Sequence, residues 1–166
     1  PLHVNHADLP EVLGVLRGMG FAGVNITIPH KELAVTLSDV VTDRAALIGA
    51  ANTLTFMANG QIQADNTDGL GFVSNIRQSL PGWTASAGPA LVLGSGGAAK
   101  AIVSALIADG APTVYVANRT RARADALRDQ FGARVEPTDW TKISDLVADS
   151  ALVVNTTSLG MAGQPP

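Results

Sequence analysis

The sequence predicts an α/β protein of two domains, the second built on a Rossmann-like parallel sheet. Three observations carry this. From residue 90 onward, apolar strand-like runs alternate with helix-length segments across short connections, as a parallel sheet with crossover helices requires. At the head of that alternation, Ala90–Leu93 runs straight into Gly94-Ser95-Gly96-Gly97-Ala98-Ala99, a G-x-G-x-x-A loop that opens a helix. Residues 1–83 instead read as strand, helix, hairpin and helix, and Pro81-Gly82 with the small-residue run Thr84–Gly88 reads as a linker. The domains are therefore expected at 1–83 and 84–166.

Each element has its own signal. Leu9, Val12, Leu13, Leu16 and Met19 share one helical face within 8–19, and Gly18 and Gly20 close that helix. Val24, Ile26 and Ile28 alternate with Asn25 and Thr27, as in a strand with one polar side. Pro29 is placed to start a helix carrying Leu33 and Leu37, and 42–48 reads as a further short helix. Strands at 51–57 and 61–65 flank Asn59-Gly60, a two-residue hairpin signal. A helix over 69–80 follows, with Leu70, Val73, Ile76 and Leu80 at helical spacing. The second domain is expected as strand 90–93, helix 97–109, strand 113–117, helix 120–131, a short strand near 133–135, helix 139–148 and strand 151–155.

Composition narrows the chemistry. Of 166 residues, 46% are hydrophobic and 15% charged, which supplies a buried core and argues against disorder. A net charge of -3 argues against a broad nucleic-acid surface. With no cysteine, thiol catalysis, disulfides and Cys-based metal sites are excluded, and His3, His6 and His30 are too few and poorly spaced for zinc. No metal is expected. No apolar run approaches the roughly 20 residues that span a bilayer, and no signal peptide is seen, so a cytoplasmic protein without a membrane partner is expected. The absent initiator methionine, the ending at Gln164-Pro165-Pro166, and four predicted strands where a dinucleotide fold has about six are expected of an internal piece of a longer chain.

In the glycine loop, Gly94 permits the tight turn, Gly96 lets the backbone approach a pyrophosphate, and Ala99 allows close helix–strand packing. Free amides and the helix dipole favour the phosphate charge. Enzymes that use NAD carry an acid at the end of the second strand, about 20 residues on. Here that position reads Asn118-Arg119-Thr120-Arg121-Ala122-Arg123, without an acid. Arg119 would pair with a 2′-phosphate through its planar guanidinium, and Arg123, four residues on, can face the same spot. A solvated helix start is the simpler alternative, but arginines there oppose the macrodipole. NADP is expected over NAD.

A lysine and a carboxylate complete the candidate chemistry. Lys31 lies in the first turn after Pro29, where a cation opposes the helix dipole, and Asp68 ends the run Asp65-Asn66-Thr67-Asp68 before a helix. Such a pair is what a hydride-transfer enzyme uses to move the accompanying proton. An exposed lysine beside a proline and an N-capping aspartate are the structural alternatives, with Asn52 as a turn residue.

Taken together these segments resemble the shikimate dehydrogenase family. N-I-T-I-P-H-K at 25–31 is similar to its N-V-T-x-P-x-K segment, G-A-A-N-T at 49–53 to its substrate asparagine motif, and D-N-T-D-G at 65–69 to its catalytic aspartate motif. G-S-G-G-A-A-K-A and N-R-T resemble its nucleotide loop and 2′-phosphate motif, and N-T-T-S-L-G-M at 155–161 its loop near the nicotinamide. The resemblance implies a substrate-binding α/β domain followed by an NADP-binding Rossmann-like domain, incomplete here, and NADPH-dependent reversible reduction of 3-dehydroshikimate to shikimate in aromatic amino-acid (chorismate) biosynthesis. It implies Lys31 and Asp68 as the catalytic pair, with Thr27, Asn52, Thr67 and Asp68 on the substrate. It implies Gly94, Ser95, Gly96, Gly97, Ala98, Asn118, Arg119, Thr120, Arg123 and Met161 on NADP(H). The family's S-x-S-P serine pair and its C-terminal substrate glutamine have no counterpart in these residues.

Two other readings stay open. One is a quinate/shikimate dehydrogenase of broader substrate or NAD use, since nothing visible rejects quinate's extra hydroxyl. The other is a non-catalytic NADP-binding or sensing module, which the joint presence of Lys31 and Asp68 disfavours. A homodimer is compatible with the sequence, which does not set the oligomeric state.

Overall fold

Leu9, Leu13 and Leu16 recur at helical spacing, and all three are buried on one face of α1 (Leu9–Gly18). Met19, expected on that face, is instead the C-cap residue and 68% exposed. In the computed structural model, which describes residues 1–160 and Gly163, α1 is followed by β1 (Gly23–Asn25), α2 (Lys31–Thr36), β2 (Val40–Val41), α3 (Asp43–Ile48), β3 (Thr53–Phe56) and β4 (Ile62–Asp65). The strands form one sheet in the order β1-β3-β4-β2, antiparallel except for the parallel β4–β2 edge. Leu9, Leu13, Ile26, Ala34, Ala51, Leu54 and Ala64 form its core.

Local expectations are corrected at three places. The strand predicted through Ile28 ends at Asn25: the Ile26 amide makes one last bond in the β1–β3 register, to the Asn52 carbonyl (2.7 Å), and the chain then turns, with Ile28 75% exposed. The His30 amide closes a turn on the Thr27 carbonyl, so α2 starts at Lys31 rather than at Pro29; the Ile28-Pro29 peptide within that turn is cis. The hairpin has a three-residue loop, 58–60, instead of a two-residue turn at Asn59-Gly60. A two-residue type I′ turn needs positive φ at both positions, and only Gly60 (φ 86°) has it.

The remaining chain carries α4 (Asp68–Ser79), β5 (Ala90–Leu93), α5 (Gly97–Ala108), β6 (Val114–Ala117), α6 (Arg121–Phe131), β7 (Val135–Thr138), α7 (Ile143–Asp149) and β8 (Leu152–Asn155). Its sheet is parallel throughout, in the order β7-β6-β5-β8. The sequence thus steps outward from β5 to β7 and returns to the other side of β5 with β8. That reversal makes a switch point at the carboxyl ends of β5 and β8, where open α/β sheets bind ligands. Val92, Val103, Leu106, Val114, Val116 and Leu127 are among its core residues.

The compact units divide at Thr67/Asp68, so the expected boundary at 83/84 falls inside the second unit. The reason lies in α4, whose buried residues are Gly69 and Val73, with Phe72 packed on the second core. Leu70 and Leu80, expected to face inward, are 53% and 60% exposed. The segment expected as a linker holds a 3-10 turn (Ala85–Ala87) that buries Ala85 in the same core. No helix among the described residues is long and apolar enough to cross a membrane.

Leu54 is 1% exposed at the centre of the first sheet. Leu54→Ala is expected to destabilise the fold by about 2–5 kcal/mol, measured as a lower denaturation midpoint at unchanged m-value.

Candidate active site

The backbone at Ala51-Asn52 joins three segments that the sequence keeps apart. Its carbonyl accepts the Ile26 amide at the end of β1 (2.7 Å), its amide donates to the Asp65 carbonyl at the end of β4 (3.0 Å), and the neighbouring Ala51 amide donates to the Lys31 carbonyl in the first turn of α2 (2.8 Å). The Asn52 side chain continues the junction. Its Nδ2 donates to Thr67 Oγ1 (3.0 Å), and its Oδ1 accepts from the Thr67 amide (3.0 Å) and from Thr53 Oγ1 (2.9 Å). Thr27, Lys31, Asn52 and Thr67 therefore gather at one edge of the first sheet. Asp68 is the next residue along the chain and opens α4 in the second unit.

The polar run 65–68 has more structure than helix capping. Asp65 reaches back to α3: Thr42 Oγ1 donates to its Oδ1 (2.7 Å), and Arg44 donates through Nε to Oδ1 (3.2 Å) and through Nη2 to Oδ2 (2.5 Å). Thr42 is also the N-cap of α3, accepting the Ala45 amide. Burial raises the Asp65 pKa, but the hydrogen bonds from Arg44, Thr42 and the Asn66 amide, with the Arg44 charge, outweigh it and hold the carboxyl below its ordinary value. Asn66 is fully buried and donates through Nδ2 to the Ala50 carbonyl (2.8 Å). Three successive side chains are thus tied to three different neighbours, which fixes the backbone leading into Asp68.

In the second unit the glycine loop lies at the switch point. Gly94 has φ 107°, and a Cβ there would lie 2.5 Å from Thr156 Oγ1 in the loop after β8. That threonine is itself anchored, its hydroxyl and amide both donating to the Leu93 carbonyl (2.6 and 2.8 Å). Gly96 is different: its φ is ordinary, it caps α5, and a Cβ there would meet no atom within 4 Å. The space beside Gly96 at the mouth of α5 is therefore open. Ser95 is buried and Ala99 fully so, while Gly97 and Ala98 are partly exposed in the first turn. The loop after β8 holds itself together: Asn155 Oδ1 accepts from the Thr157 amide and hydroxyl, and Asn155 Nδ2 donates to the Leu159 carbonyl. Met161 lies outside the described residues.

The three arginines after β6 separate by partner. Arg121 donates to Asp125 (3.0 Å) and Asp139 (2.7 Å), both of which raise its pKa, so it ties α6 to the segment after β7. Arg119 and Arg123 are exposed, and neither has an ion-pair partner among the described residues, which leaves both guanidiniums available to an anion. Asn118 shapes the turn, its Nδ2 donating to the Thr120 carbonyl (2.9 Å). Among the described residues no cluster of three His, Cys, Asp or Glu could hold a metal ion.

The sequence missed the Arg44–Asp65 clamp, the Asn66–Ala50 bond and the Thr156 seal on Gly94. Only two had a local signal: Thr42 ahead of Asp43 marks a helix cap, and Asn155-Thr156 ends a strand at the switch point.

A glycine loop at the reversal of a parallel sheet defines the dinucleotide-binding class of α/β proteins. Comparison with known proteins narrows the class. Residues 1–54 match the family described as shikimate dehydrogenase substrate binding domain, and residues 77–161 match shikimate / quinate 5-dehydrogenase. The chain belongs to the shikimate/quinate 5-dehydrogenase family. It is 76% identical over its full length to a shikimate dehydrogenase (NADP(+)) of Jannaschia sp. (strain CCS1), of which it covers 60%. Among solved structures it resembles shikimate 5-dehydrogenase of Thermus thermophilus in complex with NADP(H) and shikimate (39% identity, TM-score 0.80, 95% of this chain and 56% of that one). It also resembles quinate dehydrogenase of Corynebacterium glutamicum in complex with NAD (33% identity, TM-score 0.84, 96% and 57%). The chain thus spans about 60% of the length of the curated relatives it matches.

Because the folded Asp65 pKa lies below its unfolded value, near 3.9, its stabilising contribution is present above about pH 4 and is lost as pH falls through the folded value. Asp65→Asn is expected to be less stable than wild type by about 1 kcal/mol at pH 7, the partner arginine being partly exposed. That gap should close as the pH of thermal melts is lowered below 4.

Proposed function

We propose that this chain carries the catalytic residues of an NADP-dependent shikimate dehydrogenase, which reversibly reduces 3-dehydroshikimate to shikimate in the formation of aromatic amino acids through chorismate. The observation that carries the reading is the Asn52 junction, which gathers Thr27, Lys31, Asn52 and Thr67 at one sheet edge with Asp68 next in the chain. An amine, an amide and two hydroxyls at one edge suit a small polyhydroxylated ring. The likeness to a shikimate dehydrogenase (NADP(+)) and to a complex with NADP(H) and shikimate supports the same substrate and cofactor.

NADPH, when bound, supplies the hydride that reduces the substrate carbonyl carbon. Gly94, Ser95, Gly96, Gly97 and Ala98 would cradle its pyrophosphate, and Arg119 and Arg123, with the Asn118–Thr120 turn, would hold the 2′-phosphate. Met161 would sit beside the nicotinamide. Lys31 and Asp68 act at the carbonyl oxygen: they stabilise the charge developing there and deliver its proton. Removing either is expected to lower turnover. Thr27, Asn52 and Thr67 orient the ring through their hydrogen bonds. The reaction belongs in the cytoplasm, with its NADPH supply, and the reading is compatible with a homodimer without requiring one.

A second reading, use of quinate or NAD, is favoured by the likeness to the quinate dehydrogenase complexed with NAD. Assays of the purified protein with shikimate and quinate, each with NADP and NAD, decide between the two. Shikimate with NADP is expected to give the highest kcat/KM, and a preference for quinate with NAD would reverse the assignment. Lys31→Ala is expected to lower kcat by about 100-fold or more while NADPH affinity, followed by fluorescence, stays near wild type. Full turnover in that variant would refute the role of Lys31. Arg119→Ala is expected to raise KM for NADPH much more than for NADH, and equal effects would remove the phosphate contact.

A further inference from the structure

We propose that Gly69 is a positioning residue: it sets how closely the helix bearing Asp68 lies on the helix that opens at the glycine loop. This rests on the reading of Asp68 as the catalytic carboxylate. A Cβ on Gly69 would lie 2.6 Å from the Ala101 carbonyl oxygen and 2.9 Å from Ala105 Cβ, so the backbone of α4 rests directly on α5. The first of those neighbours is backbone and cannot swing away. Eight residues further along each helix, Arg77 of α4 is ion-paired with Asp109 at the C-cap of α5 (2.5 Å). Matching offsets of eight residues mean that α4 and α5 run side by side in the same direction, fixed at both places.

The consequence lies at their N-termini. Ala101 is four residues into α5 from Gly97, about 6 Å along the axis. Asp68, one residue before Gly69, is thereby held within about one turn of the α5 mouth where the Gly94–Gly97 loop would seat the pyrophosphate. Any side chain at position 69 must push α4 off α5 and carry the Asp68 carboxylate away from its place relative to the cofactor loop. Gly71, on the same helix, has open space where a Cβ would go, with no atom within 4 Å, and so serves as the control.

The test compares wild type with Gly69→Ala, Ala105→Val and Gly71→Ala in steady-state reduction of 3-dehydroshikimate, with NADPH binding followed by fluorescence. Deuterated NADPH reports whether hydride transfer has slowed. Gly69→Ala, and Ala105→Val as an independent wedge from the facing helix, are expected to lower kcat by about 10- to 100-fold. Both should raise the isotope effect on kcat and leave NADPH affinity and substrate KM within about threefold. Gly71→Ala should match wild type. Wild-type kcat in both wedge variants overturns the inference, as does a loss of NADPH affinity and melting temperature in step with kcat. A wild type that does not turn over 3-dehydroshikimate overturns the functional reading itself, and the inference with it.

Discussion

Much of the first unit depends on the backbone of one residue. The amide and carbonyl of Asn52 terminate β1 and β4 together, and the amide before them holds the first turn of α2. Backbone polar groups at strand ends must find partners when they leave the ladder. Here those partners are one another, so the satisfaction of the backbone and the convergence of Thr27, Lys31 and Thr67 are the same event. The Asn52 side chain then takes both the amide and the hydroxyl of Thr67. The polar edge is thus built from main-chain geometry first, and its side chains inherit their places from it.

The second unit uses close approach for the same end. At Gly94 the left-handed backbone lets the Thr156 loop pack against the turn, and Thr156 is sealed to the Leu93 carbonyl. Gly96, with nothing of the protein beside it, leaves its side of the loop open. Two glycines of one loop therefore differ, one closed over by protein and one with open space beside it. The all-parallel order β7-β6-β5-β8 puts both at the switch point.

Element types were largely legible because period-2 and period-3.6 patterns and the glycine loop are local signals. The unit boundary was not. Helix α4 buries Gly69 and Val73 while Leu70 and Leu80 face outward, so a reading by apolar side chains finds the wrong face and misses which core the helix serves. The clamp on Asp65 was hidden for a different reason: Arg44 lies 21 residues away on another element, and no spacing rule links them. Likewise, Arg121 had no role assigned from the sequence; it pairs with Asp125 and with Asp139, and no spacing signals the second. Arg119 and Arg123 are exposed, with no ion-pair partner among the described residues, and Asn52 is hydrogen-bonded to Thr67 within the first unit.

The exposure of Arg119 and Arg123 has a thermodynamic consequence. Guanidiniums in open solvent act on an anion through a screened field, whose range shrinks from about 10 Å at 0.1 M ionic strength to about 3 Å at 1 M. On the proposed reading, discrimination between the phosphorylated and unphosphorylated dinucleotide is therefore not a fixed constant of the fold. It is a quantity that dissolved electrolyte tunes, steep in dilute buffer and shallow in brine.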